Sequence, residues 1–316
     1  MRRRRLLAVA CSMAAGCAGT GYRASGPRTL PPDPPTESSS TATVDPVESR
    51  AQAVTRPLNE VYRVVRGPLA TFEVADVPRD DLSAARTSLA NARGAVTTFS
   101  EAVDDPPTSY RSLPTLVTIH EHFLDALTTA VELHSSLATL ADDSVDDPQG
   151  RLDTPRAATA TLAALASELT DVVESDPTMP RSVFLTNERT RALAATLDGQ
   201  STAIGRLLDV IERELVASLD WRAGVAAFER AAFADARVSF DAARDEYRTA
   251  EQLLDGSIGT DGSFADLTDR RSCVATAGVE AASVARRAAV EAGAGDAERA
   301  EGLLRTAEST RNRCSN

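Results

Sequence analysis

The sequence predicts an all-α protein: one or two antiparallel bundles of about eight helices, behind a disordered N-terminal tether. Three observations carry that prediction. From Asp45 onward apolar residues recur at steps of three and four, the period of one helix face. No stretch alternates apolar and polar residues as a half-buried strand does. Apolar residues make up 42% of the chain but aromatics only 4%, so the core must be built from Leu, Val and Ala.

The first element is an export signal, residues 1–16. Arg2 to Arg5 are its positive region, Leu6 to Ala10 its apolar region, and small residues lead into Met13-Ala14-Ala15-Gly16-Cys17. The apolar run is too short to span a bilayer, which needs about 20 apolar residues. The Gly16-Cys17 ending resembles the lipobox of prokaryotic lipoproteins, with Ala14 where leucine is commonest. That resemblance implies cleavage before Cys17 and a lipid on its thiol. The alternative is an ordinary cleaved signal in which Cys17 is incidental. Arg3-Arg4-Arg5-Leu6-Leu7 also resembles a twin-arginine motif, which implies export of a folded protein.

Residues 17–45 are read as the lipid-anchored linker. They are rich in Gly, Ser, Thr and Pro, including Pro31-Pro32-Asp33-Pro34-Pro35. Such a segment buries too little surface to offset its ordering entropy.

The body then divides at its prolines. In the first helix Leu58, Val61, Val65, Leu69 and Phe72 share a face, and Gly67-Pro68 is expected to kink or break it. Asp80-Asp81 open the second, which carries Leu82, Leu89 and Phe99 and stops at Asp104-Asp105-Pro106-Pro107. The third runs over about 110–141 on Leu116, Ile119, Phe123, Leu133 and Leu137. An acidic loop, Asp142 to Asp153, leads to a fourth helix with Leu162, Leu165, Leu169 and Val172, ending before Asp176-Pro177. The proline-bearing stretch 177–186 is the expected boundary between two bundles, 46–177 and 178–316.

Beyond it a helix over about 187–220 carries Ile204, Leu207, Leu208, Ile211 and Leu215, with Gly199 as a candidate interruption. Two further helices are expected within 222–254, then a glycine-bearing loop. The last pair covers about 265–292 and 296–312 around Gly293-Ala294-Gly295. Cys273 and Cys314 stand 21 and 20 residues from Ala294. In an antiparallel pair both lie about 30 Å from the turn and should face each other as a disulfide. Closing a loop of this length stabilises by roughly 4 kcal/mol in the loop-entropy account. Two free buried thiols are the alternative. Cys11 lies within the signal.

Within 216–248, Gly224, Ala236, Phe240 and Ala243 resemble four positions of the tetratricopeptide repeat. The resemblance implies two helices in close approach across small residues, with the Phe filling the gap. Trp221 is one residue off the pattern, Arg248 stands where the closing proline would be, and no second copy follows 34 residues on. The resemblance implies a helical hairpin and not a repeat array.

The chain has 34 basic and 46 acidic residues, a net charge of −12, and no lysine. Removing the four arginines Arg2 to Arg5 from those 34 leaves 30 against 46, a net charge of −16. An acid excess spread over the body resembles exported proteins of extreme halophiles; the alternative is a merely acidic protein from a GC-rich genome. There is no basic stripe for phosphates, so nucleic acid is not an expected partner.

Chemical motifs are missing. Without lysine there is no P-loop of the GxxxxGK[ST] type and no Schiff-base lysine. No G-x-S-x-G occurs. His120 and His122 are two apart on a helix and point to nearly opposite sides; His120 and His134 are about 21 Å apart along the axis. All three are read as solvent-facing or half-buried. The acidic residues Asp142, Asp143, Asp146 and Asp147, and the loop with Asp255 and Asp261, lack EF-hand spacing. The expectation is therefore no catalytic, cofactor or metal site. The expected role is a surface-anchored scaffold or interaction module, joined to the membrane through Cys17 and to a protein partner. A ligand-binding lipoprotein serving a transporter is the alternative.

Screening of carboxylate repulsion gives a direct test. The Debye length falls from about 10 Å at 0.1 M salt to about 3 Å at 1 M. The thermal unfolding midpoint should rise across that range, and a midpoint that stays flat or falls would remove the halophile reading.

Overall fold

The computed structural model describes residues 45–140, 147–255 and 258–314, and every regular element among them is helical. Eight helices follow in order: α1 (Pro46–Thr71), α2 (Arg79–Ala102), α3 (Leu113–Thr139), α4 (Pro148–Glu174), α5 (Asn187–Glu229), α6 (Phe233–Asp255), α7 (Ser263–Gly293) and α8 (Ala297–Arg311). Short 3₁₀ turns precede α3 and follow α8. No described helix is long and apolar enough to cross a membrane. Cys17 and the signal and linker segments lie outside the described residues, as do Asp142, Asp143 and Asp146.

Helix starts follow local chemistry. Asp45 caps α1 by accepting from Val47 N at 2.9 Å, with Pro46 in the first turn. Asp147 caps α4 through Gly150 N at 3.0 Å, Thr186 caps α5 and Asp296 caps α8. Each side-chain oxygen satisfies an N–H that the helix itself leaves open.

Three expectations are corrected. Gly67-Pro68 does not break α1, which continues to Thr71. Pro68 lies in the last turn, where one lost hydrogen bond is outweighed by burial of Leu69 and Phe72. The second half of the expected acidic loop is helical, because Asp147-Pro148 is a cap followed by proline at the first helical position. The break near 220 is absent: α5 is one helix of 43 residues, passing through Gly199 and Gly205.

The continuity of α5 has a packing cause. Its buried residues run Leu215, Ser218, Trp221, Gly224 and Ala227, at steps of three. Ser218 and Gly224 interrupt the apolar reading but not the buried face. Each step of three falls about 60° short of a full turn, so that face rotates around the helix. The rotation hands α5 from one core to another. The larger cluster draws residues from α1 to α5 and the starts of α7, including Leu193, Leu208 and Leu215 of α5. The smaller one joins Trp221 and Ala227 to Phe240, Ala243, Ala285 and Ala307.

Consecutive helices pack on one another from α3 through α8, while α1, α2 and α3 pack mutually. Contacts of α5 with α1 and of α7 with α3 close the N-terminal helices onto the later ones. The proline-bearing stretch 177–186 is held to α1: Asn59 donates to the Ser182 carbonyl at 2.8 Å and accepts from Phe184 N at 2.9 Å. Val183 and Leu185 are buried in the larger cluster.

A long-range clasp joins the end of α1 to the start of α7. Phe72 caps α1 in the left-handed conformation, φ 56°. Its carbonyl accepts from Ser263 N at 3.1 Å. Ser263 Oγ accepts from both Val74 N and Ala75 N at 2.9 Å. The Phe72 and Phe264 rings lie 5.5 Å apart, and His134 of α3 meets Phe264 edge-on. Gly262 has φ 55°, and a Cβ there would run into the Thr71 and Phe72 carbonyls.

Rings seated on glycines fix α6 against its two neighbours. A Cβ on Gly224 of α5 would lie 2.7 Å from the Phe240 ring, and one on Gly278 of α7 would lie 2.5 Å from Tyr247. Both rings belong to α6, so α6 inserts one ring into each neighbour. Gly224→Ala and Gly278→Ala should each destabilise by about 1–3 kcal/mol through overpacking. Gly199→Ala, where a Cβ meets nothing within 4 Å, should stabilise by roughly 0.5–1 kcal/mol through helix propensity. Urea midpoints at unchanged m-value check the opposite signs.

Candidate functional site

A cleft of about 400 Å³ lies between the C-terminal part of α5 and the last turn of α8. On α5, Trp221, Arg222, Val225 and Glu229 step by one, three and four, so they line one side. Glu308 and Arg311 of α8, with Asn312 just beyond it, line the other. Trp221 is only 3% exposed. Its ring meets Phe240 edge-on at 5.4 Å, and the Arg311 guanidinium lies over it at 5.4 Å. Arg311 also donates to Ser218 Oγ at 2.9 Å. The tryptophan is thus held between a ring and a cation, in the arrangement its quadrupole favours.

Two arginines and two glutamates line the cleft, so its charge is balanced. It contains no histidine, cysteine, serine or tyrosine. It can hold a planar or charged group by stacking and ion pairing, and it offers no nucleophile–base pair of the Ser–His or Cys–His kind.

Cys273 and Cys314 lie at disulfide distance, with Cα atoms 5.9 Å apart and Sγ atoms 1.97 Å apart. The convergence expected from their equal offsets about the turn is present. The turn is the short segment Ala294–Asp296, with Gly295 at φ 93°.

The histidines do not converge, and one placement differs from expectation. His120 is fully buried. Its Nδ1 donates to the Leu116 carbonyl at 2.7 Å, while Nε2 has no hydrogen-bond partner. Burial lowers its pKa to about 4, against the raising effect of that hydrogen bond, so the ring is neutral at physiological pH. The step from Leu116 to His120 is four, which places the ring on the core stripe and explains its burial. His122 is half-buried 3.5 Å from Glu168, and His134 is half-buried against Phe264. Among the described residues no group of three His, Cys, Asp or Glu could hold a metal ion. Asp261 is committed to the fold: its carboxylate accepts from Gln200 Nε2 at 3.0 Å and its N–H donates to Gln200 Oε1 at 3.1 Å.

An unexpected buried pair joins α5 to α7. Arg271 Nη1 donates to Glu214 Oε2 at 3.2 Å, with side-chain exposures of 8% and 4%. Burial pushes the Glu214 carboxyl up, to about 8, against the lowering pull of the Arg271 guanidinium. Glu214 Oε1 has no hydrogen-bond partner. A signal was present in the sequence: Glu214 falls three after Ile211 and Arg271 four after Leu267, both on apolar stripes.

No protein-family model, curated protein or solved structure matches this chain.

The buried pair sets a pH dependence with a definite sign. A carboxyl whose folded pKa lies above its unfolded value binds more protons in the native state, so stability falls as pH rises from about 4.5 to about 8. His120 acts oppositely, lowering stability as pH falls from about 6.5 to about 4. Glu214→Gln should gain stability relative to the parent as pH rises through the first window, by on the order of 3 kcal/mol at its upper end. Denaturant titrations of both proteins at several pH values measure that difference, and parallel curves would contradict it.

Proposed function

We propose that this protein is an exported lipoprotein, held by a lipid on Cys17 at the outer face of the cell membrane. There it acts as a helical scaffold or protein-interaction module and not as an enzyme. The tether of residues 17–45 spaces the helical body from the bilayer, and the dense carboxylates keep that body soluble in the salt-rich surroundings of a halophile.

The observation that carries the scaffold reading is the ring-on-glycine packing of α5, α6 and α7. Phe240 on Gly224 and Tyr247 on Gly278 repeat one device across two successive helix contacts. Stacked helical hairpins of the tetratricopeptide kind use small residues and inserted rings in this way to build rigid display surfaces. The resemblance in 216–248 belongs to that reading. The alternative, a ligand-binding lipoprotein serving a transporter, draws on the cleft at Trp221, where a buried ring and Arg311 offer a stacking site.

Two measurements test the proposal separately. Mass spectrometry of the mature chain should find Cys17 as the first residue, carrying a thioether-linked lipid; an unmodified or missing Cys17 rejects the anchor. Crosslinking on intact cells, followed by affinity purification, should recover the same protein partner in independent preparations. Recovery of none rejects the scaffold role, and loss of a transporter component from Trp221→Ala cells alone would favour the alternative.

A further inference from the structure

Helix α8 buries fewer side chains than any other described helix. It has 15 residues, and only Ala300 and Ala307 are buried. Two methyl groups bury little apolar area, and a helix of this length is marginal in water by itself. Leu304 packs half-buried on the smaller cluster. The ion pairs Arg299–Glu291 at 3.7 Å and Arg313–Glu280 at 2.8 Å are largely exposed and hold weakly. Among the helices, α8 packs chiefly along α7. Its near end is a three-residue turn about which the helix can swing. Its far end is tied by Cys314 to Cys273, an exposed position on α7. Three residues before that tie, Arg311 covers the Trp221 ring.

We propose that the Cys273–Cys314 bond is a redox latch on α8. With the bond intact, α8 lies on α7 and Arg311 closes the cleft over Trp221. Reduction releases α8 and opens that cleft. The reductant is a dithiol. One of its thiolates attacks the Sγ of the exposed Cys273, and Cys314 leaves as a thiolate that takes a proton. The second thiol then displaces Cys273 from the mixed disulfide, leaving two protein thiols and an oxidised, cyclic reductant.

Trp221 is the only tryptophan in the chain, so its emission reports the latch directly. The full chain, oxidised and after treatment with dithiothreitol, is compared by acrylamide quenching and by hydrogen exchange with mass spectrometry. The Cys314→Ser variant provides the unlatched state without reductant. Reduction and the variant should both raise the quenching constant at least twofold. They should strip protection from 297–311 while amides of α5 and α6 stay protected. Unchanged quenching, or retained protection of α8, would show that the helix docks without the bond and would overturn the proposal. Loss of protection throughout α5, α6 and α7 would overturn it equally, because the bond would then hold the whole fold and not one helix.

Discussion

The architecture depends on α5 being unbroken. A helix of 43 residues is about 65 Å long, longer than one small core can bury on a single face. Its buried residues solve this by rotating around the axis, so that Leu193 to Leu215 serve the larger cluster and Trp221 to Ala227 the smaller. Gly199 and Gly205 each weaken the helix by about 1 kcal/mol relative to alanine, but neighbours on both sides outweigh that cost. Because the rod is continuous, the position of α6 and α7 is referred to α1 through α4 without a flexible joint. The Ser263 clasp and the Asn59 contacts add a second and a third connection between early and late helices.

The scarcity of aromatic residues shapes how the two clusters differ. The larger one is filled mainly by Leu, Val, Ile and Ala, with Tyr62, Phe72, Phe99, Phe123 and Phe264 among them. The smaller one is mostly alanine, and alanine alone leaves helices close but weakly held. Phe240 and Trp221 supply the missing volume, and Gly224 on the facing helix makes room for the Phe240 ring. Trp221 then packs against Phe240 and meets Arg311 at the rim of the cleft. The cleft at Trp221 is therefore a by-product of the same packing, placed where the smaller cluster runs out and α8 only partly covers it.

Charge is handled differently inside and outside. On the surface, arginine is the main partner of the carboxylates, and pairs such as Arg156–Glu212 and Arg286–Asp241 bridge neighbouring helices. Such partly exposed pairs contribute little individually. Inside, Glu214 and Arg271 are tied together between α5 and α7, and His120 stays neutral on the core face of α3. The buried groups make stability depend on pH, Glu214 as pH rises and His120 as pH falls, whereas the surface carboxylates are the charges that salt would screen. The protein thus has two independent electrostatic sensitivities.

The helical class, most helix ends and the meeting of Cys273 with Cys314 were legible from sequence alone. These features rest on local physics: a 3.6-residue period, Asp or Thr at helix starts, proline beyond helix ends, and equal offsets about a glycine turn. The full extent of α5 was hidden, because the apolar stripe reads only to about residue 220 while the buried face continues through Trp221, Gly224 and Ala227. The burial of His120 was half visible in its spacing from Leu116. The burial of Glu214 and Arg271 was signalled by their spacing, but their pairing, the Trp221–Arg311 stack and the Ser263 clasp could not be read, since each joins residues more than 50 positions apart. Short-range rules state which face of a helix avoids water. Which neighbour covers that face is decided by how eight helices close upon one another, and only the folded chain contains that information.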